Sequence, residues 1–143
     1  MYGVADSLIR SMQSVQNAAA RLITGARGRE HITPVLRQLY WLPVGQRVWF
    51  KLASIMYQSL SGHDPHYLAD DVQLLDDDGR RLRRSANYRT CVVPRKQNSF
   101  VDRDFSVAGP RIWNDLPPKL RHPDIISLGQ FRSILKTVVF VYK

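Results

Sequence analysis

Residues 80–103 hold the densest group of side chains able to bind a charged ligand. Eight cations lie within this segment: Arg80, Arg81, Arg83, Arg84, Arg89, Arg95, Lys96 and Arg103. Tyr88 and Phe100 lie among them. A guanidinium group donates several hydrogen bonds to a phosphate, and an aromatic ring stacks on an unpaired base. The sequence therefore predicts that this segment binds RNA or DNA, chiefly through backbone phosphates.

Two other uses of these arginines stay open. Three aspartates at 76–78 directly precede them, so the segment would alternatively pair with its own acids as a solvated arm. The run at 80–84 would alternatively be a nuclear-import signal. The whole chain favours a polyanionic partner, because 21 Lys and Arg against 12 Asp and Glu give a net charge of +9. Binding to such a partner releases counterions from its phosphates.

Paired carboxylates at Asp70 and Asp71 are the best candidates for metal-dependent catalysis. Together with Tyr67 they approach the aromatic-x-Asp-Asp pattern that holds two Mg²⁺ ions in polymerases. In this register, however, Leu68 occupies the position of the aromatic residue. No second Asp-bearing strand lies upstream to complete a two-metal site. The sequence therefore predicts the end of a helix with solvated acids, and no enzymatic activity.

Other metal-binding and catalytic patterns are incomplete. The stretch 76–79 resembles part of a calcium loop, but Leu74 and Ser85 stand where its first and last oxygen ligands belong. His63 and His66 lie three residues apart, and no second pair of ligands accompanies them. The chain contains neither a glycine-rich phosphate loop nor a nucleophile elbow. We therefore expect no metal, no cofactor and no small-molecule substrate.

Length and composition indicate a soluble intracellular protein. A chain of 143 residues, 44% of them hydrophobic, suits one domain with a core of its own. Cys91 is the only cysteine, so it has no internal disulfide partner and indicates a reducing compartment, nuclear or cytoplasmic. We expect it to be a small buried apolar residue. No apolar run approaches the roughly 18 residues of a membrane span, and the N-terminus has no signal-peptide pattern.

The segment 6–24 has the periodicity of an amphipathic helix. Apolar side chains recur at intervals of three and four residues, at Leu8, Met12, Val15, Ala19 and Leu22. The positions predicted to face solvent are Arg10, Gln13, Ser14, Asn17 and Arg21. Asp6 or Ser7 is expected to cap the start of the helix, and Gly25 is expected to end it.

The remaining patterns predict a mainly α fold, a small helical domain with one short β-hairpin and a long basic loop. It is a single domain, 1–143, in three parts: a helical part at 1–71, a mobile acidic and basic loop at 72–89, and a hairpin with C-terminal helices at 90–143. Further helices are predicted at 33–40, 45–60, 65–68, 105–114 and 127–142. The helix at 45–60 is apolar on nearly all sides, so we expect it in the centre. The hairpin is predicted to pair 90–93 with 99–101.

Seven strings occur in order along the chain: VQNAAARLI at 15–23, HITPVL at 31–36, LYWLPV at 39–44, PHYL at 65–68, VPR at 93–95, FSVAGPRIWNDLP at 105–117 and LGQFRSILK at 128–136. Together they resemble the region that follows the polymerase core in non-LTR retrotransposon (LINE-type, jockey-like) reverse transcriptases. In that family the polymerase palm and the endonuclease lie upstream of this region. The resemblance therefore implies a non-catalytic C-terminal remnant or fragment that begins just after the thumb.

The resemblance leaves two functions open. In the first, the arginines of 80–103 contact element RNA or target DNA, by analogy with the family and by charge. In the second, the domain is a protein-interaction module that braces the missing polymerase thumb and binds no nucleic acid of its own. The second depends on the helix at 6–24, whose apolar stripe would lose its neighbour if the thumb were absent.

Overall fold

The described part of the chain is built from helices. The structure is a computed structural model that describes residues 5–62, 66–75, 88–94, 104–122 and 127–142. Its helices are α1 (Asp6–Thr24), α2 (Ile32–Gln38), α3 (Val44–Leu60), α4 (His66–Asp70), α5 (Phe105–Asn114), a 3₁₀ helix (Pro118–Leu120) and α6 (Leu128–Tyr142). The mainly α prediction is confirmed. None of the helices in these ranges is long and apolar enough to cross a membrane.

Helix α3 lies at the centre, as its apolar sequence predicts. It contacts α1, α4, α5 and α6. Trp49, Ala53 and Met56 on this helix are buried. Tyr57 stacks on Phe131 of α6, with the ring centroids 4.4 Å apart. The core of the described residues therefore forms where α3, α5 and α6 meet.

Helix α5 packs closely against Met56 of α3 at Gly109. A Cβ atom at this position would lie 2.5 Å from Sδ of Met56 and 3.3 Å from Cε2 of Phe105. A larger residue would therefore force the Met56 side chain to shift. The helix continues through Pro110 to Asn114. Its extent agrees with the prediction.

Helix α1 is attached to the rest of the domain by two glutamines. Gln13 Oε1 accepts a hydrogen bond from the backbone N–H of Val44 at 2.8 Å, and Gln16 Nε2 donates to the carbonyl of Leu42 at 2.9 Å. These backbone groups lie at the break between α2 and α3, where the first N–H groups of a helix have no partner within it. The glutamines therefore satisfy polar groups that an apolar side chain would leave unpaired.

The apolar stripe of α1 is exposed in the described structure. Its large members Leu8, Met12, Val15 and Leu22 all face solvent, and Leu22 is 87% exposed. Gln13, predicted to face solvent, contacts α3 instead. The apolar residues that α1 buries are Ile9 and Ala20, and Ala20 packs with Val35 and Leu36 of α2. The face used for packing is the one carrying the glutamines.

The two ends of α1 are stabilised differently. Gly25 follows the helix in a left-handed conformation, with φ of 70°, and its N–H donates to the carbonyl of Arg21 at 2.8 Å, as predicted. Ala5 occupies the N-cap position, and no side chain accepts a hydrogen bond there. The predicted cap by Asp6 or Ser7 is therefore wrong. Asp6 instead lies in the first turn, where a negative charge interacts favourably with the helix dipole.

The extended segment around Cys91 pairs with residues 73–75. The N–H of Leu75 donates to the carbonyl of Thr90 at 2.9 Å, and the N–H of Val92 donates to the carbonyl of Gln73 at 2.8 Å. These bonds enclose one antiparallel bridge between Leu74 and Cys91. The described residues contain no longer strand.

Asn114 occupies the opposite edge of this segment. Its Oδ1 accepts from the N–H of Cys91 at 3.0 Å, and its Nδ2 donates to the carbonyl of Cys91 at 2.9 Å. The side-chain amide thus replaces a neighbouring strand. The prediction that 90–93 pairs with 99–101 as a β-hairpin is not supported, because both edges of the segment at Cys91 already have partners. Residues 99–101 themselves lie outside the described part.

Candidate nucleic-acid interface

The described residues include Arg89, one of the eight predicted nucleic-acid contacts. The other seven lie outside the described ranges: Arg80, Arg81, Arg83, Arg84, Arg95, Lys96 and Arg103. Their convergence on one surface therefore stays a prediction. The prediction of a long basic loop at 72–89 is not supported by the described residues: 73–75 pair with the segment at Cys91, the N–H of Arg89 donates to the carbonyl of Arg121, and residues 76–87 lie outside the described part.

Arg89 is held by its backbone. Its N–H donates to the carbonyl of Arg121 at 3.2 Å, and its carbonyl accepts from Nε1 of Trp113 at 2.7 Å. Arg121 is itself fixed, because its Nε donates to the carbonyl of Leu116 at 3.1 Å and its Nη1 lies 3.5 Å from Oγ1 of Thr90. The chain next to the arginine-rich segment is therefore anchored to α5 and to the turn after it.

Cys91 is buried beside this anchor. Burial raises the pKa of its thiol from the ordinary 9.0 to about 12, and the positive charge of Arg121 opposes part of that rise. The thiol is therefore protonated at neutral pH and is a poor nucleophile. The prediction that Cys91 is a small buried apolar residue is confirmed.

The paired carboxylates lie where the sequence places them. Asp70 is the last residue of α4, and Asp71 follows it in a turn; both are exposed. In the part of the chain that the structure describes, no group of three or more His, Cys, Asp or Glu residues is arranged to hold a metal ion. His63 and the aspartates at 76–78 lie outside that part.

A basic groove, which the sequence analysis did not identify, lies between α2 and the last turns of α6. Its lining residues are Arg37, Tyr40, Thr137 and Phe140, and its volume is about 510 Å³. Nη2 of Arg37 donates to the carbonyl of Phe140 at 3.0 Å. Carbonyls in the last turn of a helix have no partner within it, so Arg37 stabilises the end of α6. We call this surface the Tyr40 groove.

Tyr40 presents its ring at the edge of the groove. The residue is 73% exposed. Nζ of Lys136 lies 5.5 Å from the ring centroid, within the range of a cation–π contact. Arg37 uses one of its several N–H donors on the carbonyl of Phe140, and this bond holds its side chain in place. The guanidinium group of Arg37 and the exposed ring of Tyr40 therefore line the same groove.

The backbone of Tyr40 is left-handed, with φ of 55°, and no other non-glycine residue in the described ranges has a positive φ. Tyr40 follows the end of α2, and the N–H of Trp41 donates back to the carbonyl of Leu36 at 2.8 Å. This arrangement is a Schellman motif, in which glycine usually occupies the left-handed position. Tyr40 therefore occupies a position at which glycine is the usual residue.

The helices that form the groove carry positive charge without nearby acids of their own. Helices α2 and α6 contain Arg37, Arg132 and Lys136 and no Asp or Glu. Arg132 is exposed and lies one turn before Lys136 on the same side of α6. The charged side chains of these two helices are therefore all positive. Comparison of the chain with known protein families, curated proteins and solved structures finds no match.

Proposed function

We propose that this chain is a non-catalytic module that binds RNA or DNA through backbone phosphates. The observation that carries the proposal is the Tyr40 groove, where Arg37 and Lys136 flank an exposed ring on two helices free of carboxylates. The net charge of +9 and the eight cations of 80–103 support the same function. Counterions released from the bound phosphates supply the driving force.

The seven ordered strings of the sequence also suggest the family from which the chain derives. We propose that the chain corresponds to the C-terminal region of a non-LTR retrotransposon reverse transcriptase, located in the nucleus or the cytoplasm. Its partners are then RNA or DNA and the polymerase part of the parent protein. This part of the proposal depends on the resemblance alone.

Binding to a fluorescent single-stranded oligonucleotide should weaken steeply as KCl is raised. Each neutralised phosphate contributes about −0.7 to the slope of log affinity against log salt concentration for a single strand. Converting Arg37, Arg132 and Lys136 to alanine should therefore make the slope shallower by about 2. Converting Arg80, Arg81, Arg83 and Arg84 to alanine should make it shallower by about 2 to 3. Fluorescence anisotropy across a salt series measures both effects.

The matched control removes three exposed cations from other surfaces, Arg47, Lys51 and Lys119. It lowers the net charge as much as the groove variant does and should leave most of the affinity intact. A slope near zero for the unmodified protein would contradict the proposal. Equal losses in the control and in the groove variant would show a general charge effect without a binding surface.

The exposed stripe of α1 favours a second candidate function, interaction with another protein chain. Its five members follow the alternating intervals of four and three residues typical of a coiled-coil seam. We propose a second copy of this chain as the occupant. Antiparallel pairing of two copies through this stripe would place the N-terminal end of one α1 beside the C-terminal end of the other, an arrangement that the helix dipoles favour.

Self-association should appear in size-exclusion chromatography with light scattering. The mass should rise from 16.5 kDa towards twice that value as the concentration increases. Val15→Lys should keep the protein monomeric, because it places a charge in the middle of the apolar stripe. Ser14→Lys is the matched control on an exposed position outside the stripe, and it should still dimerise. A monomer at all concentrations would exclude the second copy and leave the thumb of a parent protein as the possible neighbour.

A further inference from the structure

We infer that the Tyr40 groove binds unpaired nucleotides, with one base stacked on the Tyr40 ring and the adjoining phosphates bound by Arg37 and Lys136. The inference depends on the proposed function and names its substrate class, single-stranded RNA or DNA. The bases of a duplex are already paired and stacked, so their faces are not available to a side chain. A preference for single strands is the property that separates this inference from general binding to phosphates.

The Tyr40 ring is suited to stacking by its exposure. It is 73% exposed, and Lys136 lies over one of its faces. The base is therefore expected on the opposite face. Stacking on an aromatic side chain tolerates any base, because every base has a π-face. The site should accordingly discriminate little between sequences.

The backbone supports a role for the ring outside the fold. The left-handed conformation of Tyr40 is unfavourable for every residue with a side chain, and glycine adopts it freely. The Schellman bond from Trp41 to Leu36 requires that conformation and not the ring. Because the ring is mostly exposed, the core gains little from it. A ligand explains a tyrosine at this position better than packing does.

The cations are placed to bind the phosphates that flank a stacked base. Arg37 is oriented by its hydrogen bond to the carbonyl of Phe140, and the rest of its guanidinium group faces the exposed groove. Arg132 and Lys136 extend the positive surface by one turn along α6. The groove volume of about 510 Å³ falls in the range typical of small-ligand sites. One nucleotide in the groove with its neighbours along α6 is consistent with these dimensions.

The variant Tyr40→Gly tests the inference. Binding of the full-length protein to a single-stranded oligonucleotide should weaken by roughly 5- to 100-fold, the fold-change that corresponds to one lost base stack. Binding to a duplex of the same length should not change. The melting temperature should stay equal or rise, because glycine suits a φ of 55°. A loss of binding would therefore not reflect unfolding.

Two further variants complete the experiment. Tyr40→Phe keeps the ring and should bind as the unmodified protein does. Tyr67→Ala removes a similarly exposed ring on α4, 67% exposed, and should leave binding unchanged. If Tyr40→Gly binds single strands normally while the cation variants lose affinity, stacking is excluded and the proposed function stands. If neither single strands nor duplexes bind at low salt, the proposed function fails as well. An equal loss on duplexes would also overturn the inference.

Discussion

Replacing Trp113 with alanine should lower the free energy of unfolding by about 3–5 kcal/mol, as expected for a large aromatic residue removed from a core. The side chain is 1% exposed, and its ring centroid lies 6.1 Å from that of Phe131. It also donates the hydrogen bond that holds the carbonyl of Arg89. Alanine would therefore leave a cavity and an unpaired carbonyl together. Urea denaturation followed by far-ultraviolet circular dichroism measures the change.

Trp113→Phe separates the two contributions. Phenylalanine fills much of the cavity but has no N–H, so the carbonyl of Arg89 loses its partner, at a cost of about 1–3 kcal/mol. Trp41→Phe is a control at a half-buried tryptophan outside the main core, and its effect should be smaller. A loss below about 1 kcal/mol for Trp113→Ala would contradict the close packing described for this side chain.

Asn114→Ala should destabilise the protein by about 2–4 kcal/mol, because it leaves the N–H and the carbonyl of Cys91 without partners at a buried position. Asn114→Asp should cost a similar amount at neutral pH, since a carboxylate would face the Cys91 carbonyl. Protonation of that carboxylate restores a donor, so the deficit of the aspartate variant should shrink as the pH falls. Urea titrations at several pH values test both substitutions.

A second measurement locates the effect of Asn114→Ala. The Cys91 thiol is buried in the folded protein, so maleimide should label it faster once the segment around it is released. Asn17→Ala is the matched control, because this half-buried asparagine accepts its hydrogen bond from Gln13 on the same helix. A change within about 0.5 kcal/mol for Asn114→Ala would show that the amide does not hold the segment.

The helices were predictable because their signals are local. The intervals between Phe131, Leu135 and Val139 predict the face of α6 that lies in the core, and all three are buried. Ile134, an apolar residue next to Leu135, is exposed. The orientation of α1 was not predictable in this way. The periodicity of a sequence identifies residues that share one face of a helix. It does not show which face packs, and for α1 that depends on the bonds of Gln13 and Gln16 to Val44 and Leu42, which are distant in sequence.

The pairing partner of the segment at 90–93 was also not predictable from the sequence. Its composition correctly indicates an extended backbone, but the choice of partner depends on contacts that are distant in sequence. The structure pairs it with 73–75 and with Asn114, and neither is the adjacent stretch that hairpin reasoning favours. Local propensity therefore predicts the conformation of the segment and not its neighbours.

The candidate site likewise has one part that the sequence shows and another that the structure is needed to show. The arginines of 80–103 are visible in the sequence because they lie within one short segment, whereas the Tyr40 groove joins α2 to the end of α6. Arg37 and Phe140, which form one of its contacts, are 103 residues apart. Tyr40 is the last residue of the helix that the sequence predicts at 33–40. The unusual feature, a tyrosine in a left-handed conformation, becomes apparent when the backbone is known.

The two-sided pairing of the Cys91 segment has a consequence for aggregation. Short extended segments rich in β-branched residues, such as 90–93, promote amyloid-like assembly when their backbone groups are open to another chain. Here residues 73–75 occupy one edge, and the Asn114 amide occupies the other with a side chain that cannot propagate a sheet. The Asn114 amide therefore ends the β-ladder within the molecule. Another chain could pair with the backbone of Cys91 at this edge after the hydrogen bonds between Asn114 and Cys91 are broken.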